Sequence, residues 1–261
     1  LLFGKNNYII ILMKKIIKNI FAFFNISIRS KSKLEKKLAN SVSIKKWEHD
    51  IKFAIKIGYH LGPDLLKLMK ISKSQYRQDL FALKELKIKK NGFFVEFGAT
   101  DGVSGSNTFL LEKEFGYKGI LAEPNPKQRK NIEKKRNAII VEECVWTKSG
   151  ENLKLTDNGD LSTVDLLKDN KFSFTVKTIS LTDMLEKHNA PSLIDYLSID
   201  KEGSEFDILS SHDFSKYNFS VITVEHNHTD QREKIYNLLC KNGYQRKYEE
   251  LSMQDDWYIL S

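Results

Sequence analysis

The sequence predicts an α/β fold, a mostly parallel sheet flanked by helices and preceded by a helical N-terminal region. Three observations carry this reading. After residue 92 short apolar runs alternate with helical stretches, the pattern of strands joined by crossover helices. Before it, apolar residues step by three and four. The charge also divides there: residues 1–90 hold 21 Lys and Arg against 6 Asp and Glu, net +15, and residues 91–261 hold 21 against 28, net −7. Such a division suggests two regions with different jobs.

The N-terminal region comes first. Met13 with Lys14 and Lys15 reads as a natural start, so residues 1–12 stand outside the fold reasoning. Residues 16–28 are apolar with a basic flank, and Lys18 interrupts them. They read as a helix docked on the domain or on a partner subunit, with an amphipathic helix on the inner face of a membrane as the alternative. Leu34, Leu38 and Val42 step by four, and Ile44, Trp47 and Ile51 by three or four. Gly62-Pro63 breaks the run, with Pro63 suited to a first helical turn. Ser74 is placed to cap a helix through Tyr76, Leu80, Phe81, Leu83 and Leu86. Asn91-Gly92 ends it. The chain thus divides into a basic, mainly helical extension, residues 1–73, and an α/β domain, residues 74–261.

In the second part the expected strands are 93–97, 119–122, 138–142, 194–199 and 220–225. Helices are expected at 106–115, 126–136, 180–188, 204–210 and 230–241. Residues 150–179 read as extended pieces around a loop, with turns at Gly150 and Asn158-Gly159. Segments 244–249 and 256–260 suit an antiparallel edge pair.

Composition excludes several classes. The chain has 261 residues, enough for one large domain or one with an appendage. Four Pro and 13 Gly exclude a collagen-like or proline-rich chain. Two cysteines, Cys144 and Cys240, exclude a disulfide scaffold and a four-Cys zinc site, and suit a reducing, cytoplasmic compartment. No run of eighteen uncharged apolar residues marks a spanning helix. The basic region suits a membrane surface, a nucleic acid, a phosphorylated substrate or the acidic part of a second subunit. Its plain reading is a solvated lysine-rich face.

The first strand runs into Glu96-Phe97-Gly98-Ala99-Thr100-Asp101-Gly102, a glycine turn before a helix. Glycines there let the backbone turn with positive φ and approach a ligand closely. The spacing is G-x-x-x-G rather than the dinucleotide G-x-G-x-x-G. An acidic residue opens it, which suits a cationic sulfonium better than a pyrophosphate. The second strand ends at Glu123, followed by Pro124-Asn125-Pro126, where a carboxylate can accept from both hydroxyls of a ribose. Together these are an S-adenosylmethionine pattern. Strand four ends in Asp200-Lys201-Glu202-Gly203-Ser204-Glu205 and strand five in Glu225-His226-Asn227-His228. Both runs project over the same edge of the sheet, where such groups do acid–base work or hold an oxygen-loving cation.

These residues resemble a family. FFVEFGATDGVSGSNT (93–108), LAEPNP (121–126), LSIDKEGSEFDIL (197–209) and ITVEHN (222–227) look like the motifs of FkbM-type methyltransferases, as do SQYRQD (74–79) and LLEKEFGYKG (110–119). The resemblance covers about residues 74–260. It implies a class I, Rossmann-like, S-adenosylmethionine-dependent O-methyltransferase with a mostly parallel seven-stranded sheet. It puts Glu96, Gly98, Ala99, Asp101, Gly102, Ser106, Asn107, Glu123, Pro124, Asn125, Cys144 and Asp200 around the cofactor. For Cys144 the plain alternative is a small buried hydrophobe. Two positions depart from the family pattern: Thr100 stands where many relatives have Asn, and Lys201 where a small or apolar residue is usual.

His226 is the leading general base, because its ordinary pKa lies near working pH. Asp200, Glu202 and Glu225 are the alternatives. A second arrangement has Asp200 with Glu225 or His226 holding Mg²⁺ or another divalent cation, which would polarise a sugar diol. Glu205 reads as a first-turn acid. His188 and His212 read as solvated, and Cys240 as helix core. The expected acceptor is a sugar or nucleotide-sugar hydroxyl. A catalytically silent binding module is the alternative, and a homo-oligomer is compatible with either. A nucleic-acid acceptor is not expected: no Asn-Pro-Pro-Tyr motif follows strand four, and no aromatic-interleaved basic strand occurs.

Overall fold

The computed structural model describes residues 42–157, 162–164, 173–201 and 203–261. The apolar segment 16–28, the start of the helical run at Leu34 and Leu38, the turn at Asn158-Gly159, and Glu202 lie outside the described residues. The chain divides into two compact units between Lys70 and Ile71. Among the described residues no helix is long and apolar enough to cross a membrane.

The described part of the first unit is helical. Helices α1 (Val42–Lys56), α2 (Gly58–Leu61) and α3 (Leu65–Ile71) follow one another. Between α2 and α3 the chain makes a 3-10 turn, Gly62–Asp64, with Pro63 in its first turn and Gly62 at φ +69°. The glycine takes the left-handed backbone and the proline restarts the helix, so Gly62-Pro63 acts as the break its residue types dictate. Phe53, Ile57, Leu61 and Leu65 are buried at the helical spacing.

The second unit is α/β. Its elements in order are α4 (Gln78–Glu85), β1 (Phe93–Phe97), α5 (Phe109–Phe115), β2 (Lys118–Ala122), α6 (Pro126–Lys135), β3 (Ile139–Val141), β4 (Cys144–Trp146), β5 (Asn152–Asp157), β6 (Ser162–Val164), β7 (Ser173–Ser180), α7 (Leu181–Lys187), β8 (Leu193–Ile199), α8 (Glu205–Ser210), β9 (Asn218–Glu225), α9 (Gln231–Lys241), β10 (Tyr244–Lys247), α10 (Glu249–Ser252) and β11 (Asp255–Leu260). Helix α4 begins later than its apolar spacing predicts. Arg77 precedes it at φ +68°, and Ser74 Oγ still accepts from the first-turn Asp79 N–H at 3.2 Å.

Seven strands form one sheet in the order β10-β11-β9-β8-β1-β2-β3. Pairs from β9 through β3 are parallel, while β11 runs antiparallel to both β9 and β10. The expected pair at the end of the chain therefore forms, with β11 inserted between β9 and β10. Val95, Phe97, Ile120, Leu121, Leu197 and Ile222 are all within 1% of full burial, the continuous apolar run of a sheet covered on both faces. Right-handed crossovers put α5 and α6 on one face and α8 on the other.

The extended pieces expected over 150–179 are strands β5, β6 and β7, and with β4 they pair into a sheet of their own. Strands β4-β7-β5-β6 form a second, four-stranded sheet. β4 pairs parallel with β7, and β5 antiparallel with β7 and β6.

The direction of the main sheet's build-up reverses at one point. From β1 the chain moves outward through β2 and β3 on one side, then returns to β8 and continues outward through β9 on the other. Open α/β sheets bind ligands in the crevice at the carboxyl ends of the strands flanking such a reversal. Here those ends are Phe97 of β1 and Ile199 of β8, which are partners in register.

Candidate cofactor cleft and active site

The loop after β1 turns on four residues with positive φ, Gly98 (+79°), Thr100 (+44°), Gly102 (+78°) and Gly105 (+74°). A Cβ on Gly98 would stand 2.2 Å from the Asp200 carbonyl oxygen, so only glycine lets the two strand ends meet. Ala99 is buried behind the turn. Asp101 Oδ1 accepts from the N–H groups of Val103 and Ser104, and its Oδ2 takes Lys135. Asp101 shapes the loop with both oxygens.

Glu96 has the same kind of role. It is buried; Oε1 accepts from Asn107 N at 2.6 Å, and Oε2 from Ser106 Oγ at 2.9 Å and Thr108 Oγ1 at 2.5 Å. The acidic residue opening the motif thus fixes the Ser-Asn-Thr turn into α5. Arg136 completes the arrangement: its side chain is fully buried and donates to Glu112 at 2.8 Å, to Gly102 O at 2.8 Å, and to the hydroxyls of Ser106 and Thr108. Sequence reasoning missed Arg136, which follows the lysine-rich helix α6. Asn107 Nδ2 donates to Ser198 Oγ on β8, tying the loop to the other side of the reversal point. Its Oδ1 is buried with no hydrogen-bond partner among the described residues.

After β2, Glu123 is 6% exposed, and its Oε1 accepts from Asn125 N at 2.8 Å. Burial raises its pKa, opposed by that hydrogen bond and by the charges of Lys201 and Arg129. Asn125 caps α6 through Lys127 N, and Pro126 opens the helix. Pro124, Pro126, Arg129, Glu142, Glu143 and Phe174 line a cavity of about 340 Å³ next to Glu123. Cys144 starts β4 fully buried, with Lys201 Nζ 3.8 Å from its sulfur. Cys240, by contrast, is exposed on α9 rather than part of its core.

The run after β8 divides its labour. Glu205 holds the turn: its carboxylate accepts from Lys201 N at 2.9 Å and from Gly203 N. Asp200 stands at the β8 end, where its charge acts on Asp255 at the start of β11.

His226 is not placed to act as a base. It is buried; Nδ1 accepts from His228 N at 2.9 Å and Nε2 faces Asp255 O at 3.0 Å. Both ring nitrogens serve the β9–β11 connection, so His226 has no lone pair left for an acceptor proton. Burial lowers its pKa, which keeps the ring neutral. The same bonds withhold the His226 ring from the expected cation site. Among the described residues no three of His, Cys, Asp and Glu are grouped to hold a metal ion, and the ring of His226 is spoken for. His212, expected to be solvated, is 8% exposed between Thr182 Oγ1 and Tyr217 O, and burial pushes its pKa down to about 4.

Asp255 stands at the start of β11, beside the end of β9. It lies opposite Glu225 in register and is 8% exposed. Its Oδ2 accepts from Gln78 Nε2 at 2.7 Å, which brings the SQYRQD segment to the end of the sheet. Burial pushes its carboxyl up to about 7; Gln78 opposes this, and the charges of Asp200, Asp256 and Glu205 add to it. The neighbouring Asp256 faces the other way and is engaged by Arg232 and Arg246. No sequence signal separates the two, because adjacent strand residues point to opposite faces.

A protein-family sequence model described as the methyltransferase FkbM domain matches residues 96–246. No curated protein matches the chain. Similar solved structures include a precorrin-6y C5,15-methyltransferase from Geobacter metallireducens, 14% identical, covering 73% of this chain and 93% of that one with a TM-score of 0.40. Another is a SAM dependent methyltransferase from Aquifex aeolicus, 10% identical, covering 75% and 98% with a TM-score of 0.38.

Proposed function

The chain belongs to the FkbM methyltransferase family, and on that premise we propose that it is an S-adenosylmethionine-dependent O-methyltransferase acting on a carbohydrate hydroxyl. The acceptor we propose is a nucleotide-activated sugar or a surface glycan of the capsule or lipopolysaccharide type, not a nucleic acid. One observation carries the reading: Gly98, Glu123 and Asp200 follow the carboxyl ends of the adjacent strands β1, β2 and β8, where the sheet reverses.

The residues present fit the cofactor. The Gly98 turn lets backbone approach a ligand, Glu123 offers a buried carboxylate to ribose hydroxyls, and Asn107 Oδ1 is a buried acceptor in need of a donor. When bound, S-adenosylmethionine supplies an electrophilic methyl carbon and a sulfur that keeps the bonding electron pair as a thioether. The protein aligns the acceptor oxygen with that carbon and takes the hydroxyl proton.

Asp255 is the proton acceptor in this reading. Its carboxyl is pushed up to about 7, so near neutrality it is partly ionised and basic enough to take a proton. Gln78 holds one carboxylate oxygen in place. Asp200 and Glu225 stand beside it as acceptors for neighbouring hydroxyls, an arrangement that favours a neutral, hydroxyl-rich ring. This scheme assigns no step to a metal ion.

The test is incubation with S-adenosylmethionine and UDP-glucose, GDP-mannose or the free sugars, following S-adenosylhomocysteine and the mass of the acceptor. A methyl ether formed equally well with EDTA supports the reading. Cofactor binding without transfer to any hydroxyl would favour a silent binding module instead.

A further inference from the structure

The methyl-transfer scheme above leaves Lys201 without a task. Its backbone is fixed: the N–H donates to Glu205 at 2.9 Å. Its side chain is half-buried and runs from the end of β8 toward β4, bringing Nζ to 3.8 Å from Cys144 Sγ. A thiol is a weak acceptor and does not satisfy an ammonium. Among the described residues no carboxylate lies within ion-pair distance of Nζ, yet its charge acts on Glu123. Arg129, the other cation acting on Glu123, is occupied: it donates to the carbonyls of Glu123 and Pro124 and faces Glu142 at 3.5 Å. The Lys201 ammonium therefore stands against Cys144 beside the end of β8, near enough to the buried Glu123 carboxylate for its charge to act on it.

We propose that Lys201 belongs to the nucleoside-binding end of the cofactor cleft, where its ammonium and the Glu123 carboxylate form a charge pair bridged by the ribose of the cofactor. This rests on the proposed use of S-adenosylmethionine. Lys201 has two effects. It donates to the nucleoside, and its field keeps the buried Glu123 ionised, so that Glu123 accepts from ribose hydroxyls with both oxygens. The groups facing Glu123 are Asn125 N from its own loop, Arg129 from α6 and Lys201 from the β8 end.

The sign of the pH effect follows. Glu123 binds as the carboxylate, so affinity is full above its pKa and falls as pH drops through it. Burial raises that pKa, and Lys201 and Arg129 oppose the rise. Removing Lys201 moves it further up, so the fall begins at a higher pH.

The experiment is calorimetric titration of S-adenosylmethionine and S-adenosylhomocysteine into the full chain at pH 5.5, 6.5 and 7.5, for the intact protein, Lys201→Met and Lys201→Arg. Both ligands carry the same nucleoside. Lys201→Met is expected to weaken both about tenfold at pH 7.5, as for loss of one charge-assisted hydrogen bond, with a steeper loss toward pH 5.5. Lys201→Arg is expected to stay within about threefold of the intact protein, because the charge is kept. Equal affinities of Lys201→Met and the intact protein at all three pH values would overturn the proposal. So would a gain for S-adenosylmethionine alone, which would put Lys201 at the sulfonium. If the intact protein binds neither ligand, the methyltransferase reading fails and this inference with it; a failure of the variant's predicted loss removes only the inference.

Discussion

Gly98 sits so close to Asp200 that a Cβ would come within 2.2 Å of the Asp200 carbonyl oxygen. The contact joins the carboxyl ends of β1 and β8, the two strands between which the sheet reverses. Gly98→Ala would have to relieve both the contact and a φ of +79°. The backbone strain alone costs about 1–3 kcal/mol. Urea unfolding is expected to show a loss at least that large, with cofactor affinity lost as the loop shifts.

Thr100 is strained where it stands. Its φ is +44°, and a β-branched residue is an outlier in the left-handed region. Asn tolerates that region far better. Thr100→Asn is expected to stabilise the fold by about 1 kcal/mol, read as a rise of roughly 2–4 °C in Tm. The exchange also gives up a weak bond from Thr100 Oγ1 to Ser104 O at 3.3 Å.

Arg136 is the buried cation under the glycine loop. It is flanked by Glu112 at 2.8 Å and Glu96 at 3.9 Å, and its guanidinium lies over the Phe94 and Phe109 rings. Arg136→Met leaves the Glu96 and Glu112 carboxylates buried without that charge. Breaking such an arrangement from one side costs about 3–5 kcal/mol. Chemical denaturation of the variant against the intact protein checks this.

Asp255 makes two opposite predictions for one substitution. Asp255→Asn is expected to leave cofactor affinity within about twofold while lowering methyl transfer by about 10²–10⁴, the usual worth of a general base. In the intact protein the rate is expected to rise with pH through about 7, as the carboxyl ionises. Stability moves the other way. A carboxyl raised above its unfolded value is held favourably in its neutral form at low pH, and that contribution is lost as pH rises through about 7. Asp255→Asn should therefore stabilise the fold at pH 8 relative to its effect at pH 5, measured by thermal unfolding at both. A rate unaffected by the substitution would remove Asp255 from the mechanism.

The parallel half of the fold was legible because its strands are buried on both faces and read as apolar runs; 93–97 and 194–199 fall within a residue of β1 and β8. The glycine loop was legible because its φ angles demand glycine. The second sheet was not, because β5 and β7 mix Lys154, Thr175 and Lys177 among their apolar residues, as partly exposed antiparallel strands do. The proton-transfer assignment fell on His226 because pKa matching favours histidine, but sequence does not reveal that backbone groups claim both ring nitrogens. Glu96 and Asp101 carried the motif's acidity, yet both are spent on loop N–H and O–H groups. What the motif encodes there is the shape of the cleft.

The central claim is that the crevice between β1, β2 and β8 binds S-adenosylmethionine through Glu123. Calorimetric titration of S-adenosylmethionine into the full chain, beside Glu123→Ala, tests it most directly. The account predicts micromolar binding to the intact protein, with a loss of at least tenfold in the variant, since a buried carboxylate accepting from ribose hydroxyls contributes about 1.5–3 kcal/mol. No heat of binding in the intact protein up to millimolar cofactor, or equal affinity in the variant, would contradict it.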